Sequence, residues 1–195
     1  MNKIDLVILS IFGFLTVFYI KHNYYNEVDY VLSSVDNRYY IVKSMDNKQA
    51  AADLLAKLNI KLLTLVNHVH VMKSSTKASD EDRRRLYDNF NPDHISEGSY
   101  DTGYTSYSVN KGEKIILCLR SKNTPSELVK LNVLVYVAIH ELGHLMTKEV
   151  GHPKIFWHNF KFLLKEAVKL KLYKKVQFAD NPVDYCGIKI KSSII

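Results

Sequence analysis

The sequence predicts an α+β fold: a mainly helical domain with a small β-hairpin or sheet, preceded by an N-terminal transmembrane helix. Three observations predict it. An apolar run opens the chain, three long stretches place apolar residues at helical spacing, and two pairs of short β-prone runs flank turn-forming residues. The chain has 195 residues, which suits one compact domain plus an appendage, and 47% of them are hydrophobic, enough for a core.

Ile4 to Ile20 is apolar apart from Asp5, Ser10, Thr16 and the central Gly13, and it is bracketed by Lys3 and Lys21. Seventeen residues rise about 25 Å as a helix, the low end for a membrane span. The flank His22-Asn23-Tyr24-Tyr25 suits a headgroup interface. No small-residue cleavage site follows, which argues against a signal peptide. The expectation is a single-pass membrane protein with an anchor over 1–21, a linker over 22–29 and a folded domain over 30–195. Lys3 on one side balances Lys21 and Arg38 on the other, so orientation is not set.

Val31–Val35 and Tyr39–Lys43 are β-prone and split by Asp36-Asn37, which suggests a hairpin. Asp46 reads as an N-cap. Leu54, Leu55, Leu58, Leu62, Leu65, Val66 and Val69 then form a helical stripe to about Met72. His68 and His70, two residues apart, point to different faces and read as structural. Glu81 to Phe90 is expected as a short helix with Arg83, Arg84 and Arg85 on its exposed side. Asn91 to Gly103, with Pro92, Gly98 and Gly103, reads as an irregular loop, and His94 in it as surface. Tyr104–Asn110 and Glu113–Arg120 flank Lys111-Gly112 and predict a second hairpin. Such a sheet edge could pair with an extended peptide.

Ser126 to about Val150 is apolar nearly all round, the pattern of a centrally buried helix. It contains His140-Glu141-Leu142-Gly143-His144. On a helix, positions i and i+4 share a face, so His140 and His144 can reach one metal ion. Glu141 projects beside them as a candidate general base for a metal-activated water. This donor set points to Zn2+ as the cofactor, and a catalytic zinc needs a third protein ligand.

Gly151 is suited to end the helix and Pro153 to open the next, so the chain turns at His152 and can swing its imidazole back over the motif. His158 and Glu166 are the competing third ligands. Both lie on the following helix, Pro153 to Leu172. A metzincin would place Gly at 147 and His at 150, where this chain has Thr147 and Val150.

The run His140–His144, then Gly151-His152, then Phe156-Trp157, resembles the WLM and SprT-like zinc metallopeptidases over about Asn132 to Leu172. The resemblance implies a minimal zincin-like metallopeptidase domain over 30–195, His152 as third ligand, Glu141 as general base and a protein or peptide substrate. Ser106–Lys114 resembles a stretch in small proteins of large DNA viruses. Better-known family members cleave proteins crosslinked to DNA and carry C-terminal partner-binding tails. Residues 173–195 leave no room for such a tail, so the zinc chemistry is expected to carry over and the DNA-repair role is not. Anchored scaffolding without turnover and hydrolysis of a non-peptide amide are the alternative functions.

Net charge is +7, from 27 basic and 20 acidic residues. Lys148 to Lys191 holds 10 lysines against 4 acids, but no nucleic-acid motif accompanies them. A solvated lysine face is the expectation, and nucleic acid is not indicated as a partner. Cys118 and Cys186 show no CxxC spacing, which excludes a cysteine-rich zinc knuckle and leaves open whether they pair. Tyr104, Tyr107 and Tyr185 are candidate oxyanion donors by residue type.

Overall fold

The computed structural model describes residues 2–24, 27–73, 78–98, 105–121, 124 and 126–195, with residues 20–24 as backbone alone. Five α-helices are described, α1 (Lys3–Tyr24), α2 (Lys48–His70), α3 (Asp80–Asn89), α4 (Leu131–Met146) and α5 (Lys154–Lys169), with one short 3-10 helix at Pro92–His94. Seven short strands accompany them: β1 (Val28–Leu32), β2 (Tyr39–Lys43), β3 (Ile95–Glu97), β4 (Ser106–Val109), β5 (Lys114–Leu117), β6 (Val183–Tyr185) and β7 (Ile188–Ile190).

The N-terminal segment is helical, but the expected membrane span is corrected. Among the described residues, no helix is long and apolar enough to cross a membrane. The apolar stretch of α1 rises about 25 Å, against about 30 Å of hydrocarbon in a bilayer. Asp5, Ser10, Gly13 and Thr16 also dilute it. The transmembrane helix and the single-pass localisation fall together, and the membrane as a partner is left without support. The large apolar side chains from Ile4 to Tyr19 are exposed.

The folded core centres on α4, which packs against α2, α3, α5 and β4. Leu55, Leu58, Leu62 and Leu65 of α2 are buried with Leu134, Ile139, Leu142 and Leu145 of α4 and Phe156, Phe160, Leu163 and Leu164 of α5. These are the positions one helical face supplies. The antiparallel pair β1-β2 turns through Asn37, whose positive φ of 57° suits asparagine.

Beside α4 lies a sheet of order β3-β5-β4, with β4 antiparallel and β3 parallel to β5. Strand β3 falls where the sequence reads as loop. Three residues between breakers carry no periodicity to detect. Helix α4 begins at Leu131 rather than Ser126. Leu128 bridges Arg120 and the Val129 amide donates to the Leu119 carbonyl at 2.8 Å, so this segment extends the sheet before the helix starts.

Arg83 is buried, not exposed. Its guanidinium reaches the Met72 carbonyl and Asp80. The C-terminal residues form the hairpin β6-β7, turning at Cys186 and Gly187, both with positive φ. Cys118 and Cys186 are joined in a disulfide, which ties this hairpin to the end of β5.

Candidate metal centre

Within α4, His140 and His144 stand one turn apart on the face toward α5, their ring centroids 5.0 Å apart. The chain leaves α4 at Thr147, passes Gly151 at φ 81° and reaches Pro153, the N-cap of α5, in extended conformation. That positive φ suits a residue without a Cβ. His152 is thereby turned back over α4. Its Nε2 lies 3.0 Å from Nε2 of His140, and its ring centroid lies 4.8 Å from that of His144. One nitrogen from each of the three imidazoles falls within 4.8 Å of the other two. Nitrogens bound at about 2.0–2.1 Å to one tetrahedral ion are spaced on this scale.

A phenyl ring forms the floor. Phe156 is fully buried, and its centroid lies 4.9 Å from His140, 4.5 Å from His144 and 4.6 Å from His152. Gly143 makes this approach possible, because a Cβ there would meet Cε2 of Phe156 at 3.0 Å. Trp157 stacks on His152 at 5.5 Å with its outer face exposed.

Burial, then the neighbouring His144 and His152, pushes the His140 imidazole down to about 3. Burial, then His152 and Lys111, pushes His144 down to about 4. Both rings are therefore neutral at physiological pH, the form that binds a metal. Glu141 is 4% exposed, and burial pushes its carboxyl up to about 7. The Ser108 hydroxyl and amide donate to that carboxylate and oppose part of the rise. The site opens into a cleft of about 540 Å³, with β4 along one wall and His140, Glu141, His144 and His152 along the other. Three convergent imidazoles fit a zinc ion by donor type and number.

Residues 101–185 match the WLM domain family. This agrees with the resemblance carried by the motif residues. The chain is 28% identical, over 92% of its length and 90% of the other, to an uncharacterized protein of Acanthamoeba polyphaga mimivirus. It is 34% identical to an uncharacterized protein of Invertebrate iridescent virus 6, over 47% of this chain and 51% of that one. The crystal structure of Wss1 from Saccharomyces cerevisiae superposes with a TM-score of 0.50 at 20% identity, covering 67% of this chain and 87% of that one. Residues 101–185 thus resemble the WLM family, and the fold is similar to that of Wss1.

The rival ligands stand apart from the three histidines. His158 is exposed on α5 and lies outside the cluster. Glu166 is buried at the far end of α5, 3.4 Å from Nε2 of His68 and 2.5 Å from Nζ of Lys169. His94 is exposed, with Nε2 3.2 Å from the Asn91 amide. His70 stacks on Tyr87 at 3.8 Å.

Among the candidate oxyanion donors, Tyr185 is 1% exposed. Its hydroxyl donates to the Cys118 carbonyl at 2.9 Å and lies 2.6 Å from the Ser106 hydroxyl, so it is engaged within the fold. Tyr107 lines the cleft. Tyr104 lies outside the described residues. Sequence reasoning missed Ser108 and Lys111. Both sit in the hairpin ahead of α4, and only tertiary packing brings them to it.

Proposed function

We propose that this chain is a zinc-dependent metallopeptidase that hydrolyses peptide bonds, with its catalytic unit in residues 30–195. His140, His144 and His152 are the metal ligands and Glu141 is the general base. The observation that carries the reading is the convergence of His152 with the two motif histidines, with the Glu141 carboxylate beside them. The WLM match and the Wss1-like fold support a protein or peptide as the substrate.

A zinc ion held by the three imidazoles supplies a Lewis acid that polarises the scissile carbonyl and lets water lose a proton near neutrality. Glu141 accepts that proton at its carboxylate and returns it to the leaving amine nitrogen. Ser108, through its hydroxyl and its amide, favours the charged carboxylate of Glu141. Among the described residues β4 is the outer strand of the order β3-β5-β4 and lines the cleft, where the backbone of an extended substrate would lie along it.

The test is cleavage of a proteome-derived peptide library by the zinc-loaded chain and by Glu141→Gln. The variant should keep its zinc and lose cleavage by about 10²–10⁴-fold, the usual worth of a general base. Equal turnover by the two proteins would remove Glu141 from the chemistry. Zinc binding with no cleavage by either would make the chain a metal-holding scaffold.

A further inference from the structure

Helix α4 must hold its C-terminal end in register, because the chain turns there to deliver His152. The last carbonyls of a helix have no partner within it. Here side chains from outside supply them. Arg85 Nη1 donates to the Met146 carbonyl at 2.9 Å, and Asn89 Nδ2 approaches the Leu145 carbonyl at 3.5 Å. Lys111 supplies the rest: its Nζ lies 3.2 Å from the His144 carbonyl, 2.7 Å from that of Thr147 and 2.6 Å from that of Glu149.

An ammonium has three N–H donors, and three carbonyls occupy them. Lys111 lines the cleft, yet it has no donor left for a substrate carboxylate or an oxyanion. Its charge also suits the negative end of the α4 dipole.

The backbone beneath Lys111 is anchored. Asn110, Lys111 and Gly112 all have positive φ, and the turn packs against the end of α3. A Cβ on Gly112 would sit 2.1 Å from the Asn89 carbonyl oxygen. Downstream, Thr147 is buried and its hydroxyl accepts from Asn159 Nδ2 at 3.1 Å, whereas Lys148 to Gly151 are exposed. The path from α4 to His152 therefore has few attachments of its own.

We infer that Lys111 is a positioning residue for His152. By gathering the carbonyls of His144, Thr147 and Glu149 onto one ammonium, it fixes the turn that returns the third imidazole to the first two. The inference rests on His152 being a metal ligand.

The test is a double-mutant cycle on zinc affinity, read by competition with a chromophoric chelator, using Lys111→Met, His152→Ala and the pair. Tm of each metal-free protein is measured alongside. Lys111→Met should weaken zinc binding about 10-fold or more, the range seen when support of a metal ligand is removed. In the His152→Ala background the same change should cost less than about twofold. An undiminished effect in that background would mean that Lys111 supports the helix as a whole, and would overturn the inference. So would an unchanged zinc affinity in Lys111→Met.

Zinc affinity unchanged in His152→Ala would instead overturn the ligand assignment, and this inference with it. If Lys111→Met does not fold, Lys111→Arg replaces it. Its charge is kept, but a planar fork does not converge on three carbonyls, so the same pattern across the two backgrounds is required.

Discussion

Nε2 of His140 and Nε2 of His152 lie 3.0 Å apart, although twelve residues and a helix terminus separate them. Neither approach is a packing accident. His140 is held on α4 by the buried Ile139 and Leu142 beside it, and His152 is delivered by the Gly151 turn and by Pro153. Two imidazole nitrogens facing each other across such a gap suit a shared cation.

The floor of the site gives the first prediction. An alanine in a helix is ordinarily worth about 0.5–1 kcal/mol over glycine. At Gly143 the added Cβ meets Phe156 at 3.0 Å, and that ring is wedged among three imidazoles at 4.5–4.9 Å and cannot retreat freely. Overpacking, at about 1–3 kcal/mol, should outweigh the helix gain. Gly143→Ala should therefore lower stability in chemical denaturation and weaken zinc binding together. A stabilised variant with parental zinc affinity would show that Phe156 does not constrain the histidines.

The depressed histidines make the metal-free chain sensitive to acid. His140 falls from its ordinary 6.5 to about 3 in the fold, so between those values the unfolded chain binds the extra proton and stability drops as pH drops. Glu141, raised from 4.5 to about 7, acts in the opposite sense: its contribution is full below 4.5 and is lost as pH rises through 7. His144, lowered to about 4, adds to the His140 effect, so the two histidines outweigh the one carboxylate. Tm of the metal-free protein should fall from pH 6.5 to 4, and fall less steeply in His140→Gln. Parallel slopes for the two proteins would contradict the assignment of His140 as buried and neutral.

Ser108 offers a test that reads Glu141 directly. Its hydroxyl favours the carboxylate form, so its removal raises the Glu141 pKa further. With Glu141 as general base, the acid limb of the pH profile of kcat/KM should move to higher pH in Ser108→Ala, while the rate on the plateau changes less. A profile that scales down without moving would place Ser108 outside the control of Glu141.

Much of this was written locally in the chain. The H-E-x-x-H spacing, Gly151 and Pro153 describe a helix, its end and a turn without help from distant residues. The α2 stripe is equally local, although the helix has its N-cap at Asn47 rather than at the expected Asp46. What could not be read depends on partners far away in sequence. Strand β3 exists because Ile95–Glu97 pairs with Ile115–Leu117. The Lys111 and Arg85 caps exist because two unrelated segments meet the end of α4. Arg83, a charged residue in a polar run, is buried because the Met72 carbonyl and Asp80 receive it. The apolar N-terminus was legible as a helix, but periodicity does not distinguish what such a helix faces, and no described helix is both long and apolar enough to cross a membrane.

The most direct test of the account is the zinc content of the purified chain and of His140→Ala, His144→Ala and His152→Ala, measured by elemental analysis after dialysis against a metal-free buffer. The account predicts about one zinc per chain in the parent, as three imidazoles with an open fourth position would hold, and loss of that zinc in every variant. Absence of zinc from the parent, or full retention of it in His152→Ala, would contradict it.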